Sequence, residues 1–280
     1  MLKRILTAIV ALFVFVPPVI FADTWAFPIL FALCALVGTF EMLRCIGIHK
    51  NGWIAVPLYL IAFSAPLLVR LVGEQVKDAF SLITQGSVAV ILLLVVYLLA
   101  VAVLDHKKLD ITSVGCAVMM FLYIVGGFTG VVILNDMESR SICIMVFIGA
   151  WVTDTFAYFT GRLLGKHKLI PEVSPKKTVE GAIGGIVFCI LAFVGFAFLH
   201  NRFWLGDRQP LPPLALAVVG LVVSVVSQVG DLALSQVKRH FGIKDYGNLL
   251  PGHGGVLDRF DSVLAVSILM TVVFSMPLFA

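Results

Sequence analysis

Runs of about 20 apolar residues follow one another along almost the whole chain, and this limits its fold more than any motif does. Nine can be drawn, at 5–22, 25–43, 52–72, 85–104, 110–134, 141–161, 181–199, 212–234 and 262–279. In hydrocarbon the backbone must satisfy its own N–H and C=O groups, so runs of this length are read as helices. The expected class is all-α: a polytopic integral membrane protein of nine transmembrane helices. Composition agrees, because hydrophobic residues make up 60% of the 280 and charged residues only 13%, against roughly 25% charged in a soluble domain. No polar block approaches the roughly 50 residues that a small soluble domain requires, which excludes a sizeable extramembrane domain.

The first run, Ile5 to Phe21 behind Lys3 and Arg4, could be a signal peptide or a span. Ala22-Asp23 is a weak cleavage signal and another apolar run follows at once, so a retained span is expected. Cys34, Cys45, Cys116, Cys143 and Cys189 lie in or beside apolar segments with no CxxC pair, and read as packing residues. With the amino terminus inside, 15 of the 20 basic residues fall on inside segments, and only Arg70, Lys77, Arg140, Arg202 and Arg208 fall outside. The layout divides into five N-terminal spans over 1–134 and a four-span region over 135–280, which carries inside loops at 162–180 and 235–261. Glu41 and Arg44, at the end of the second span, read as interfacial.

The later loop and its flanking helix ends concentrate ionic chemistry. Four-residue spacing puts Ser227, Asp231, Ser235 and Arg239 on one helix face, which should look into the bundle. A hydrogen-bond network that only ties helices together would also explain the serines. An ionisable group near the hydrocarbon edge, such as Asp231, points to function. Asp258 and Asp261 are three apart at the start of the last span, so one helical turn aims both the same way, although acids there can also be caps. With Asp231 they offer hard oxygen ligands, suited to Mg²⁺ rather than Zn²⁺ because no histidine or cysteine cluster accompanies them. Between the acids lies Gly252-His253-Gly254-Gly255, whose missing side chains permit close approach to a phosphate or a sharp re-entry into a helix. Lys238, Arg239, Lys244 and Arg259 surround it with positive charge. His253 could contact phosphate, transfer a proton or hold the turn.

The run Ser235-Gln-Val-Lys238-Arg239, Lys244-Asp245, Leu250-Pro251-Gly-His253-Gly-Gly255-Val-Leu-Asp258-Arg259-Phe-Asp261 resembles the signature of the phosphatidate cytidylyltransferase family, also called CDP-diacylglycerol synthase. That resemblance implies a nine-span membrane enzyme whose metal-binding acids match Asp231 and Asp258.

The earlier loop adds a second cluster. Asp154, Tyr158 and Arg162 share one face at the end of the sixth span, and Asp154 is either functional or bonded to neighbouring threonines. Lys166 and Lys168 read as positive-inside charge. Ser174-Pro-Lys176-Lys177-Thr178 is sharper, since a restrained loop bearing hydroxyls and ammonium groups before a helix suits nucleotide phosphates. It is not a Walker A loop, as GxxxxGK[ST] is absent. The run from Ser174 to Gly181 resembles the other conserved segment of the same family.

The resemblance implies transfer of a cytidylyl group from CTP to phosphatidate within the bilayer, giving CDP-diacylglycerol and pyrophosphate. Catalytic roles are expected for Asp231, Asp258, Asp261, Lys238, Arg239 and His253. Nucleotide contacts are expected from Asp154, Ser174, Lys176, Lys177, Thr178, Ser235, Lys244, Gly254, Gly255 and Arg259. Asp231, Asp258 and Asp261 are the expected metal ligands, with a second metal or a monovalent cation left open. The expected location is the bacterial inner membrane with the site facing the cytoplasm; no nucleic-acid partner is implied, and a homodimer is left open. The rivals are an ion- or proton-coupled transporter using Asp154 and Asp231, and a transferase acting on another activated nucleotide or polyprenyl phosphate.

Overall fold

The computed structural model describes residues 13, 15–76, 79–138, 140–203, 210–249 and 252–275. Among these residues the chain is mostly helical, with one two-stranded hairpin. The helices are α1 (Ala26–Ile46), α2 (Gly52–Gln75), α3 (Ala79–Leu104), α4 (Ile111–Ile133), α5 (Arg140–Leu164), α6 (Val179–Phe203), α7 (Pro213–His240) and α8 (Leu257–Phe274). Strands β1 (Lys168–Ile170) and β2 (Ser174–Thr178) pair antiparallel, with Lys168 opposite Thr178 and Ile170 opposite Ser174.

Among the described residues seven helices, α1 to α7, are long and apolar enough to cross a membrane, so the chain is a multi-pass membrane protein. Nine were expected, and the two that are not among these seven are the first and the last. Half of the first expected run, 5–12 and 14, falls outside the described residues. The last differs for a physical reason: α8 begins at Leu257, not 262, and its 18 residues take in Asp258, Arg259 and Asp261, so its opening turn is ionic. Other boundaries shift the same way. The eighth run extends to His240 as α7, which places Ser235, Lys238 and Arg239 on helix instead of loop. The loop expected over 162–180 is the end of α5 followed by the hairpin.

The chain forms two compact units. The first holds α1 to α4 together with residues 243–259. Side-chain caps start two of its helices: Asn51 accepts from Trp53 N at 3.1 Å, and Asp110 from Ser113 N at 3.2 Å. Protein covers 61% of the apolar windows of α1 and α4 but 22% of that of α3, so α3 is the helix left most to lipid. Phe31, Leu43, Leu58, Phe121 and Phe128 lie in the first unit's core. After α4 the chain widens into a π-helical turn, Leu134–Glu138, which carries Asp136. Arg70 of α2 grips that turn, donating from Nε and Nη2 to the two Asp136 oxygens at 2.6 and 2.7 Å. The same guanidinium reaches the carbonyls of Ala22, Asp23 and Thr24. A bidentate ion pair whose side chains are only 6% and 8% exposed is tolerable because each Arg70 nitrogen has an acceptor.

The second unit holds residues 138–242 and 260–280. Small residues set the approach of α5 to α6. A Cβ on Gly181 would sit 2.6 Å from the carbonyl oxygen of Ala157, and one on Gly161 would sit 2.8 Å from the Thr178 hydroxyl. Thr178 itself starts α6, accepting from Gly181 N at 3.1 Å. Inside, Thr153 donates to Ser224 at 3.1 Å, and Gln228 to Ala182 O at 3.3 Å, tying α5 and α6 to α7 through polar bonds instead of apolar area alone. At the far end of α6, Asn201 exchanges two 2.8 Å bonds with the backbone of Leu211.

Two tests follow from this packing. Gly181→Ala should lower the thermal midpoint of the detergent-purified protein, whereas Gly195→Ala, whose added methyl would meet nothing, should leave it unchanged or raise it. Asp136→Ala should destabilise by about 3 kcal/mol, because it leaves a buried guanidinium without its carboxylate, and the same scan reads the loss.

Candidate active site

Each unit carries an ionic cluster. In the second unit three carboxylates project from three helices: Asp154 from α5, Asp231 from α7 and Asp261 from α8. Asp154 and Asp231 are close enough for their charges to interact, and Lys177 acts on Asp154 as well. Asp261 senses Asp231, Asp154 and Lys238. Both oxygens of Asp231 are engaged. Lys177 Nζ lies 2.6 Å from Oδ2, each side chain a quarter exposed, and Ser235 donates to Oδ1 at 3.3 Å from one turn along α7. Asp154 accepts from Ser262 at 3.0 Å on Oδ2, and Asp261 Oδ1 accepts from Ser262 N at 2.9 Å, so Ser262 touches two of the three acids. One further turn back, Ser227 is fully buried, and its hydroxyl has no hydrogen-bond partner among the described residues.

The hairpin delivers Lys177. Glu180, in the first turn of α6, accepts from the backbone N–H groups of Lys166 and His167 and meets the His167 ring at 2.7 Å, which closes the base of the hairpin. Thr178 is then fixed as the helix cap, and Lys177, the residue before it, points to Asp231. Ser174 is half-buried at the start of β2, and Lys176 is exposed. Thr178, expected as a nucleotide contact, has a structural task here.

The first unit holds the glycine turn. Gly252 and Gly254 have φ of 81° and 88°, the left-handed region in which a side chain is strained. The close approach that these glycines permit is made by the chain's own carboxylates. A Cβ on Gly254 would lie 2.7 Å from Asp258 Oδ2, and one on Gly255 would collide with the carboxylate of Glu41. Asp258 Oδ2 accepts from Tyr246 N at 2.8 Å and Gly255 N at 2.9 Å, so this acid, in the first turn of α8, also holds the loop. Arg259 donates from Nε to the carbonyl of His253 at 2.7 Å. His253 is half-buried, its Nδ1 without a partner among the described residues, and Lys244 is exposed. Leu250 and Pro251 lie outside the described residues.

The expected metal set was Asp231, Asp258 and Asp261. In the second unit Asp154 joins Asp231 and Asp261, while Asp258 belongs to the first unit, where loop amides engage it. Among the described residues no group of three or more His, Cys, Asp and Glu side chains forms a cage that could hold a metal ion. The donor chemistry of Asp154, Asp231 and Asp261 nonetheless fits a hard divalent cation. All three offer carboxylate oxygen, and Mg²⁺ keeps waters and substrate phosphates in its shell, so it does not need a closed protein cage.

One residue escaped the sequence reading. Glu41, near the end of α1, is 3% exposed and accepts from Val256 N and Leu257 N, each at 3.0 Å. Its neighbour one turn on, Arg44, donates to Tyr246 O at 2.8 Å. The available signal was the pairing of an acid and a base three apart at the end of an apolar run, which suits an interfacial anchor equally well.

The sequence profile of the cytidylyltransferase family matches residues 2–276. A phosphatidate cytidylyltransferase of Staphylococcus epidermidis is 36% identical over 277 residues, covering 96% of this chain and 97% of the relative. The phosphatidate cytidylyltransferase of Bacillus subtilis is 36% identical over 270 residues, covering 95% and 94%. That of Staphylococcus haemolyticus is 34% identical over 273 residues, covering 96% and 97%. A match of this extent, on a helical membrane scaffold that gathers acids and bases at helix ends, establishes that the chain belongs to the cytidylyltransferase family.

Proposed function

We propose that the chain is a phosphatidate cytidylyltransferase whose reaction is centred on the carboxylates of the second unit. The activity joins CTP and phosphatidate into CDP-diacylglycerol and releases pyrophosphate. The observation that carries the siting is that Asp154, Asp231 and Asp261, on three helices, lie within range of one another's charge, with Ser262 bonded to Asp154 and Asp261 and the Lys177 ammonium against Asp231.

Phosphatidate brings an oxyanion, so the attacking group needs no strong base to create it. A bond forms from that oxygen to the α-phosphorus of CTP as the bond from the α-phosphorus to the bridging oxygen breaks, and the electron pair leaves on pyrophosphate. The barrier is electrostatic, because one anion must approach another. A divalent cation such as Mg²⁺, held by Asp231 and Asp261 with Asp154 beside them, would supply Lewis-acid neutralisation of phosphoryl oxygen, and the family resemblance keeps Asp258 of the first unit as a further acid that the reaction requires. The chain's own cations do the rest. Lys177 and Lys238 lie within electrostatic reach of the acids and oppose the build-up of negative charge as substrates enter. Lys176, Arg239, Lys244 and Arg259 are exposed and able to meet the triphosphate and the lipid phosphate, with Ser174 and Ser235 as neutral donors. His253 serves the turn or the leaving pyrophosphate.

A site where the apolar stretches of α5 and α7 give way to charged residues suits both substrates, since the headgroup of phosphatidate sits at the interface while its acyl chains stay in lipid. The excess of lysine and arginine on one set of loops supports a cytoplasmic face, from which CTP arrives, and the inner-membrane location is carried by the family resemblance alone.

Purified protein in mixed micelles should release pyrophosphate only when CTP and phosphatidate are both present, with UTP, ATP and dCTP as comparisons. Asp231→Asn, Asp258→Asn and Asp261→Asn should each cut the rate by about 100-fold or more while the protein still inserts. Full activity in Asp231→Asn or Asp261→Asn would refute the siting.

A further inference from the structure

We propose that Glu41 is a positioning residue for the transfer reaction: from the end of α1 it clamps the glycine loop in the shape that presents Asp258. This rests on the reading of the chain as a phosphatidate cytidylyltransferase.

The contacts form a continuous sequence within the first unit. Each Glu41 oxygen takes one peptide N–H, Val256 on Oε1 and Leu257 on Oε2. These amides open α8, where the helix leaves its first N–H groups unsatisfied and favours a negative partner. Gly247 and Gly255 then press on the same carboxylate so closely that neither has room for a Cβ. Gly255 is shared: its Cα faces Glu41, and its N–H goes to Asp258 at 2.9 Å. Tyr246 is likewise shared, with its carbonyl on Arg44 and its N–H on Asp258. Asp258 is therefore aimed by a loop whose two ends are fastened to α1 by Glu41 and Arg44.

A carboxylate that is 3% exposed is an expensive way to pin a loop if pinning is all that is needed, because an apolar residue of similar size would cost less. What the carboxylate provides is two acceptors facing two adjacent amides. Glutamine keeps the size but turns one of those acceptors into a donor, which then faces an N–H.

The test uses the full chain in mixed micelles with Glu41→Gln. The expected result is a kcat lower by about 100-fold with the KM for CTP changed less than about threefold, the pattern of a displaced reacting group in an otherwise intact site. Amide hydrogen exchange read on the same samples should rise over residues 243–257 and stay unchanged over 179–203. A kcat within about threefold of wild type would overturn the proposal, as would faster exchange spread through both segments, which marks a merely structural residue. If Glu41→Gln does not accumulate, Gly255→Ala, which crowds the same carboxylate from the loop side, must give the same split or the proposal falls. An inactive wild type would overturn the functional reading and this role with it, whereas an active wild type with an unaltered loop in Glu41→Gln would overturn the Glu41 role alone.

Discussion

A charge carried on an otherwise apolar helix persists only if something nearby answers it, and most of the architecture can be understood from how that demand is met. Arg70 is answered by Asp136 and three carbonyls, Glu41 by two amides, and Asp231 by an ammonium and a hydroxyl. The apolar spans supply stability in bulk, but they are interchangeable in a way that these ionic pairings are not. The glycines follow from the same demand. Gly255 and Gly247 lack side chains because a carboxylate stands where a Cβ would go.

The two ionic clusters meet the demand differently. In the first unit Glu41 and Asp258 each accept from two backbone amides, which holds the chain in place. In the second unit Asp231 and Asp154 are met by the side chains of Lys177, Ser235 and Ser262, which can rotate away and release oxygen to another ligand. Rigid acids suit aiming, and acids with movable partners suit binding.

Local features of this chain were readable in the sequence, and long-range ones were not. The shared face of Asp231 and Ser235 follows from four-residue spacing and reappears as a hydrogen bond. The polar start of the last helix was legible as a pair of acids three apart. Helix ends were less so: hydropathy stops counting at the first charges, whereas backbone hydrogen bonding carries α7 on to His240, with Lys238 and Arg239 in its last turn, where a helix dipole welcomes them. Glu41 was opaque because its partners are 215 residues away, and no local pattern encodes so distant an acceptor. The glycine turn reads as either a close approach to phosphate or a sharp re-entry into a helix, since glycine reports that side chains are missing and not what takes their place.

The hairpin between α5 and α6 places the Lys177 ammonium by a very short lever. Lys177 is bonded directly to the residue that caps α6, and Glu180 locks the other side of the same turn. The reach of the cation is therefore governed by a hydroxyl that carries no charge itself. A chemist wishing to move that ammonium by a fraction of its length, with its chemistry left intact, would work on Thr178 and leave the lysine alone.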